Sequence, residues 1–110
     1  MSLIIKEGVS LVGLQGSMAL AAQVVADCYS LFGVACVITG GTEPGHLSTG
    51  LHPRGLALDF STHHVARSRL DLLVDRIKLG LGSEYDVILE SRDQSNEHLH
   101  VEHDKAKERV

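Results

Sequence analysis

Between Ser17 and Phe32 the residues Leu20, Val24, Val25, Cys28 and Leu31 fall at three- and four-residue spacing. That rhythm predicts a helix over 17–32, with Ser17 as its cap and Gly33 as its stop. Val34 to Thr39 is a short β-branched run closed by Gly40-Gly41, which predicts a buried strand. Residues 40–54 are rich in Gly, Pro, Ser and Thr and read as a loop. From Gly55 to Thr62, Leu56, Leu58 and Phe60 alternate with Ala57 and Asp59, the pattern of a second strand. A second helix is expected over 65–79, with Leu70, Leu73, Val74 and Ile77 on one stripe and Gly80 and Gly82 at its end. Tyr85–Glu90 and His98–His103 then read as two strands joined through the polar residues 91–97, and the charged segment 104–110 as a frayed end. The order helix, strand, strand, helix, strand, strand predicts an α+β domain with helices packed on a small antiparallel sheet.

A chain of 110 residues has room for one such domain. With 44% hydrophobic and 22% charged residues it carries enough apolar surface to fold. A net charge of −4 gives no basic face for nucleic acid. No apolar run approaches the length of a membrane span, and the first residues lack the basic head and apolar core of a secretory leader. The expectation is synthesis in the cytoplasm without a signal peptide. Two cysteines, Cys28 and Cys36, form neither a disulfide framework nor a metal motif. The chain does hold seven histidines against four aromatic rings, so where those histidines fall decides its chemistry.

They collect in two places. In His52-Pro53-Arg54-Gly55-Leu56-Ala57-Leu58-Asp59, a loop-end histidine and a strand aspartate converge if the chain turns between them, and Gly55 permits a close bend. In Glu97-His98-Leu99-His100, His98 and His100 share one face of a strand. Imidazole and carboxylate are ligands for a divalent metal, and three protein ligands with one open position make a catalytic rather than a structural zinc site. Glu97, at the junction of loop and strand, is placed to take a proton from a water there. Taken singly, each element also has a plain reading as a loop contact or a solvated strand face. His63, His64 and His103 read as surface residues, and Glu90 as a strand-end carboxylate able to orient a ligand histidine.

His52-x-x-Gly55-x-Ala57-x-Asp59 followed by Glu97-x-x-His100 resembles the paired signature of the M15 family. These are zinc D-Ala-D-Ala carboxypeptidases and dipeptidases and phage L-alanyl-D-glutamate endolysins, on the hedgehog/DD-peptidase α+β fold. Leu99-His100-Val101-Glu102 is similar to the family's Trp-His-aromatic-Glu strand, and Ile38-Thr39-Gly40-Gly41-Thr42 to its approach strand. The resemblance runs from about Val34 to Asp104. It implies that His52, Asp59 and His100 hold zinc, that Glu97 is the general base, and that the substrate is a peptidoglycan peptide containing D-amino acids. The short, phage-type members are the nearer comparison, with release to the cell wall.

The departures shape the expectations. Gly50 stands where the family has serine, which leaves Ser48 as its substitute. Glu43-Pro44-Gly45-His46 occupies the region of the family's substrate-polarising arginine, which leaves His46 or Arg54 as donors to a developing oxyanion. Leu99 replaces the tryptophan. Glu97 and His100 also have opposite parity on a regular strand, so they meet at one metal only if the chain bends at or before His98. On a regular strand His98 is the better-placed base or donor. A zinc peptidase is therefore the leading reading, and a non-catalytic metal- or wall-peptide-binding module on the same scaffold is the alternative.

Overall fold

The computed structural model describes residues 3–47 and 50–103. Its elements run β1 (Leu3–Ile5), α1 (Gly16–Leu31), β2 (Cys36–Gly40), β3 (Ala57–Ser61), α2 (Arg67–Leu81), β4 (Tyr85–Glu90) and β5 (His98–His103). The strands form one sheet in the order β1-β2-β3-β5-β4. Both helices lie on it, so the chain is an α+β fold of two layers. The sheet is mixed rather than antiparallel, because β1 joins the edge parallel to β2. Three residues carry too short a pattern for that strand to be read from sequence.

Alternation sorts the sheet into two faces. Cys36, Ile38, Leu58, Phe60, Val87, Leu99 and Val101 point into the buried core beneath the helices. Asp59, Ser61, Ile88, Glu90, His98, His100 and Glu102 have the other parity and line the open face. Helix α2 buries the stripe read from its sequence, Leu70, Leu73, Val74 and Ile77.

Helix α1 departs from its expected stripe. It buries Met18, Ala21, Ala22, Val25, Ala26, Cys28 and Tyr29, whereas Leu20 and Leu31 are 64% and 67% exposed. The alanines let the helix lie close to the sheet, so the small residues face inward and two leucines are left outside. Ser17 does not cap it: Gln15 holds the cap position without a side-chain bond, and the buried Ser17 hydroxyl has no hydrogen-bond partner among the described residues.

One further expectation changes with burial, that for His103. His103 is only 3% exposed and stacks on Tyr85, with ring centroids 4.8 Å apart, because its odd parity turns it toward the core face. Cys28 and Cys36 are free, buried thiols, and burial, reinforced by Cys28, pushes the Cys36 thiol up to about 12.

Gly55 fixes the path of the chain into β3. Its φ is +71°, and a Cβ there would lie 2.2 Å from the Gly13 carbonyl oxygen and 2.9 Å from Leu14 Cα. Both neighbours are backbone and cannot swing aside. Gly55→Ala is therefore expected to cost about 1–3 kcal/mol in a denaturant melt.

A candidate metal centre on the open face of the sheet

Asp59 sits at the middle of the open face because of a register shift. Ile38 pairs with Phe60 but Gly40 pairs with Asp59, so β2 bulges by one residue. The carboxylate occupies the space a side chain at position 40 would need: a Cβ on Gly40 would lie 2.6 Å from Asp59 Oδ2. Across the next ladder Asp59 faces His100 directly, and β4 then places Glu90 opposite His98. His52 arrives from the loop between β2 and β3. Its carbonyl accepts the Gly55 amide (3.0 Å), and Leu51 accepts the Leu56 amide (3.0 Å), which closes the turn expected around Gly55.

Two imidazoles converge on that carboxylate, each with its far nitrogen tied down. His52 donates Nδ1–H to the Gly41 carbonyl (2.9 Å), leaving Nε2 3.3 Å from Asp59 Oδ2. His100 is held through Nε2 by Glu102 Oε1 (2.8 Å), and its Nδ1 is 2.9 Å from Asp59 Oδ1. Their rings meet edge to face with centroids 5.2 Å apart. The hydrogen bond to Asp59, with Glu102 helping and burial opposing, pushes the His100 imidazole up to about 9. Burial would raise the Asp59 carboxyl, but the bonds from His100 and His52 and the charges of His52 and His98 hold it well below the usual carboxylate range.

Two more histidines border the centre. His46 stacks on His52 (centroids 3.9 Å) and its Nε2 lies 2.5 Å from Glu43 Oε2. Glu43 also accepts the Ser10 and Gly41 amides, and these bonds together outweigh burial to hold its carboxyl at about 2. His98 donates Nδ1–H to the Asn96 carbonyl (2.8 Å), which aims Nε2 at Glu90 Oε1 (3.1 Å) and Asp59 Oδ1 (3.7 Å). Among the described residues, two triplets have donor atoms all within 4.8 Å of one another: His46, His52, Asp59 and Asp59, Glu90, His98. Asp59 belongs to both.

The structure does not bring Glu97 into this group. Strand β5 is regular from His98 onward, so the residue before it points to the helix side of the sheet. There the Glu97 side chain is fully buried, accepting from the Thr62 hydroxyl, from Arg67 Nη1 (2.7 Å to Oε2) and from the Asp93 amide (2.8 Å). Burial raises its carboxyl, yet those three donors together bring it down to about 2. Arg54 is exposed and takes part in none of the hydrogen bonds or ion pairs of the centre among the described residues; its carbonyl accepts a bond from Gln15. Ser48 lies outside the described residues.

Sequence reading named Glu90 as a carboxylate able to orient a histidine, and Glu90 bonds His98, but it missed the tethers on His52 and His100, the Gly41 carbonyl and Glu102. Glu102 shares the parity of His100 and was legible as such, whereas Glu90 meets His98 only through the β4–β5 register. The Gly41 carbonyl carries no sequence signal at all. A cleft of about 440 Å³, lined by Leu51, His52, Asp59, His98 and His100 among others, opens over the centre. A second of about 450 Å³ runs from Asp59 and His98 past Ser61 and Thr39 toward Lys6. Both fall in the size range of sites that take a small molecule or short peptide segment. No protein-family model, no curated protein and no solved structure matches the chain.

Proposed function

We propose that the chain is a zinc-dependent hydrolase of amide bonds in peptidoglycan peptides, with His52, Asp59 and His100 as the metal ligands. The observation that supports it is the pair of tethered imidazoles: Gly41 and Glu102 bind the outer nitrogens, so His52 Nε2 and His100 Nδ1 are both presented to Asp59. Metal-binding histidines are held in this way, by a carbonyl or carboxylate on the second nitrogen. The donor set of two imidazoles and a carboxylate suits zinc with an open position. The wall-peptide substrate, the phage-type setting and the hedgehog/DD-peptidase form of this α+β fold rest on the motif resemblance.

A bound divalent ion would polarise a substrate carbonyl and acidify water at the open position. The chain's own part is to fix the ligands, to line the cleft and to handle the proton. Proton acceptance passes from Glu97 to His98, whose Nε2 faces Asp59 Oδ1 and Glu90 Oε1. His46, held by Glu43 against the His52 ring, stands at the rim as a donor to the substrate oxygen.

The deciding experiment is a digest of purified peptidoglycan by zinc-loaded and chelator-stripped protein, with new amino groups counted and the products identified. Zinc-dependent release supports the reading, and failure to take up zinc sinks it. The locked Glu97 favours one alternative, a non-catalytic module, which would bind zinc and wall peptide without releasing amino groups. Weakening the tether gives a graded check: Glu102→Gln is expected to lower zinc affinity about 10- to 100-fold by calorimetry.

A further inference from the structure

Of the two donor triplets that share Asp59, the first ion proposed above draws on His52 and Asp59 of one, together with His100, and makes no use of Glu90 and His98 of the other. We propose that Asp59, Glu90 and His98 form a second divalent-cation position, sharing Asp59 with the first, so that the centre holds two ions bridged by that carboxylate. The inference rests on the metal-site reading above and extends it.

Geometry carries it. Asp59 Oδ2 lies 3.3 Å from His52 Nε2, whereas Oδ1 is shared between His100 Nδ1 at 2.9 Å and His98 Nε2 at 3.7 Å. Glu90 Oε1 stands 3.1 Å from the same His98 nitrogen, and all three donor atoms lie within 4.8 Å of one another. Donors bound at zinc distances sit about 3.3 Å apart in a tetrahedral shell, so these spacings need little adjustment. Orientation agrees: with Nδ1 committed to Asn96, the Nε2 of His98 is aimed between two carboxylate oxygens, a position that a ring proton or a bound metal ion fills.

Charge leaves room for it. Asp59, Glu90 and Glu102 crowd the centre, and among the described residues no lysine or arginine pairs with any of them. One divalent ion brings the summed charge of these three carboxylates from −3 to −1 and two bring it to +1, so charge admits either loading. In amide hydrolysis a pair of ions sharing a carboxylate would supply both activation of the attacking water and polarisation of the substrate carbonyl, with the amine leaving as it takes up a proton. In the doubly loaded form Glu90 and His98 are ligands, and the proton-accepting role of His98 belongs to the singly loaded form.

Stoichiometry tests this directly. Chelator-stripped protein would be titrated with zinc and followed by native mass spectrometry and calorimetry. The wild type is expected to take two ions per chain, and Glu90→Gln and His98→Gln one each. Glu90 is 45% exposed at its side chain, so the first variant should fold as wild type does. With manganese, a spin-coupled pair signal in the wild type should vanish in both variants. One ion per chain at saturation in the wild type, or two in both variants, overturns the second position while leaving the first intact. No uptake at all overturns both.

Discussion

Asp59→Asn is expected to lose stoichiometric zinc uptake altogether, and His100→Ala to lower affinity by at least about a hundredfold. Among the described residues Asp59 is the only side chain that touches His52, His98 and His100 together. Asparagine keeps its shape but offers one neutral oxygen in place of two charged ones, so it serves at most one of its partners well. Loss of the carboxylate also leaves the four histidines bordering the centre with less charge to face. The consequence reaches stability. Zinc that binds only the folded chain raises its melting temperature, so the wild type should show a zinc-dependent rise that Asp59→Asn lacks. Calorimetry and thermal melts with and without zinc measure both effects. An Asp59→Asn protein that takes up zinc as tightly as wild type would remove Asp59 from the site.

Much of this arrangement was legible before any coordinates, and the limit falls at a definite physical boundary. Local pattern placed α2, β4 and β5 well, because the 70–77 stripe and the strand alternation are strong and uninterrupted. The turn at Gly55 was also readable, since only a glycine tolerates φ +71° against the Gly13 carbonyl. Register was not readable. That Glu90 lies opposite His98 and Gly40 opposite Asp59 follows from a hairpin and a bulge whose pairing depends on the whole sheet. β1 and the inward face of α1 escaped for a related reason: one is too short to show a period, and the other buries alanines where leucines looked the natural choice. Strand parity was the one piece of geometry that reading along the chain could apply to the site. It set Glu97 against His100, and the regular course of β5 puts His98, and not Glu97, on the face that carries Asp59 and His100.

Glu97→Ala is expected to unfold the protein more readily by about 3–5 kcal/mol while leaving zinc stoichiometry unchanged. The Glu97 carboxylate is fully buried and binds the Thr62 hydroxyl, the Asp93 amide and Arg67 at once, tying the 91–97 loop to the first turn of α2. Alanine strands the Thr62 hydroxyl in a buried site and leaves Arg67 with the exposed Asp93 as its ion-pair partner. For a domain of this size that loss lowers Tm by more than about 10 °C. Acid should act in the same direction. Folding holds the Glu97 carboxyl at about 2 against an ordinary 4.5, so its contribution is fully present above pH 4.5 and is lost as pH falls from there toward 2. Glu97→Gln keeps the shape without the titrating charge, so its stability should depend less on pH across that window. A base in the reaction behaves otherwise: its glutamine variant folds normally and loses turnover alone. A Glu97→Gln protein with wild-type Tm, an unchanged acid profile and no activity would return Glu97 to the active centre.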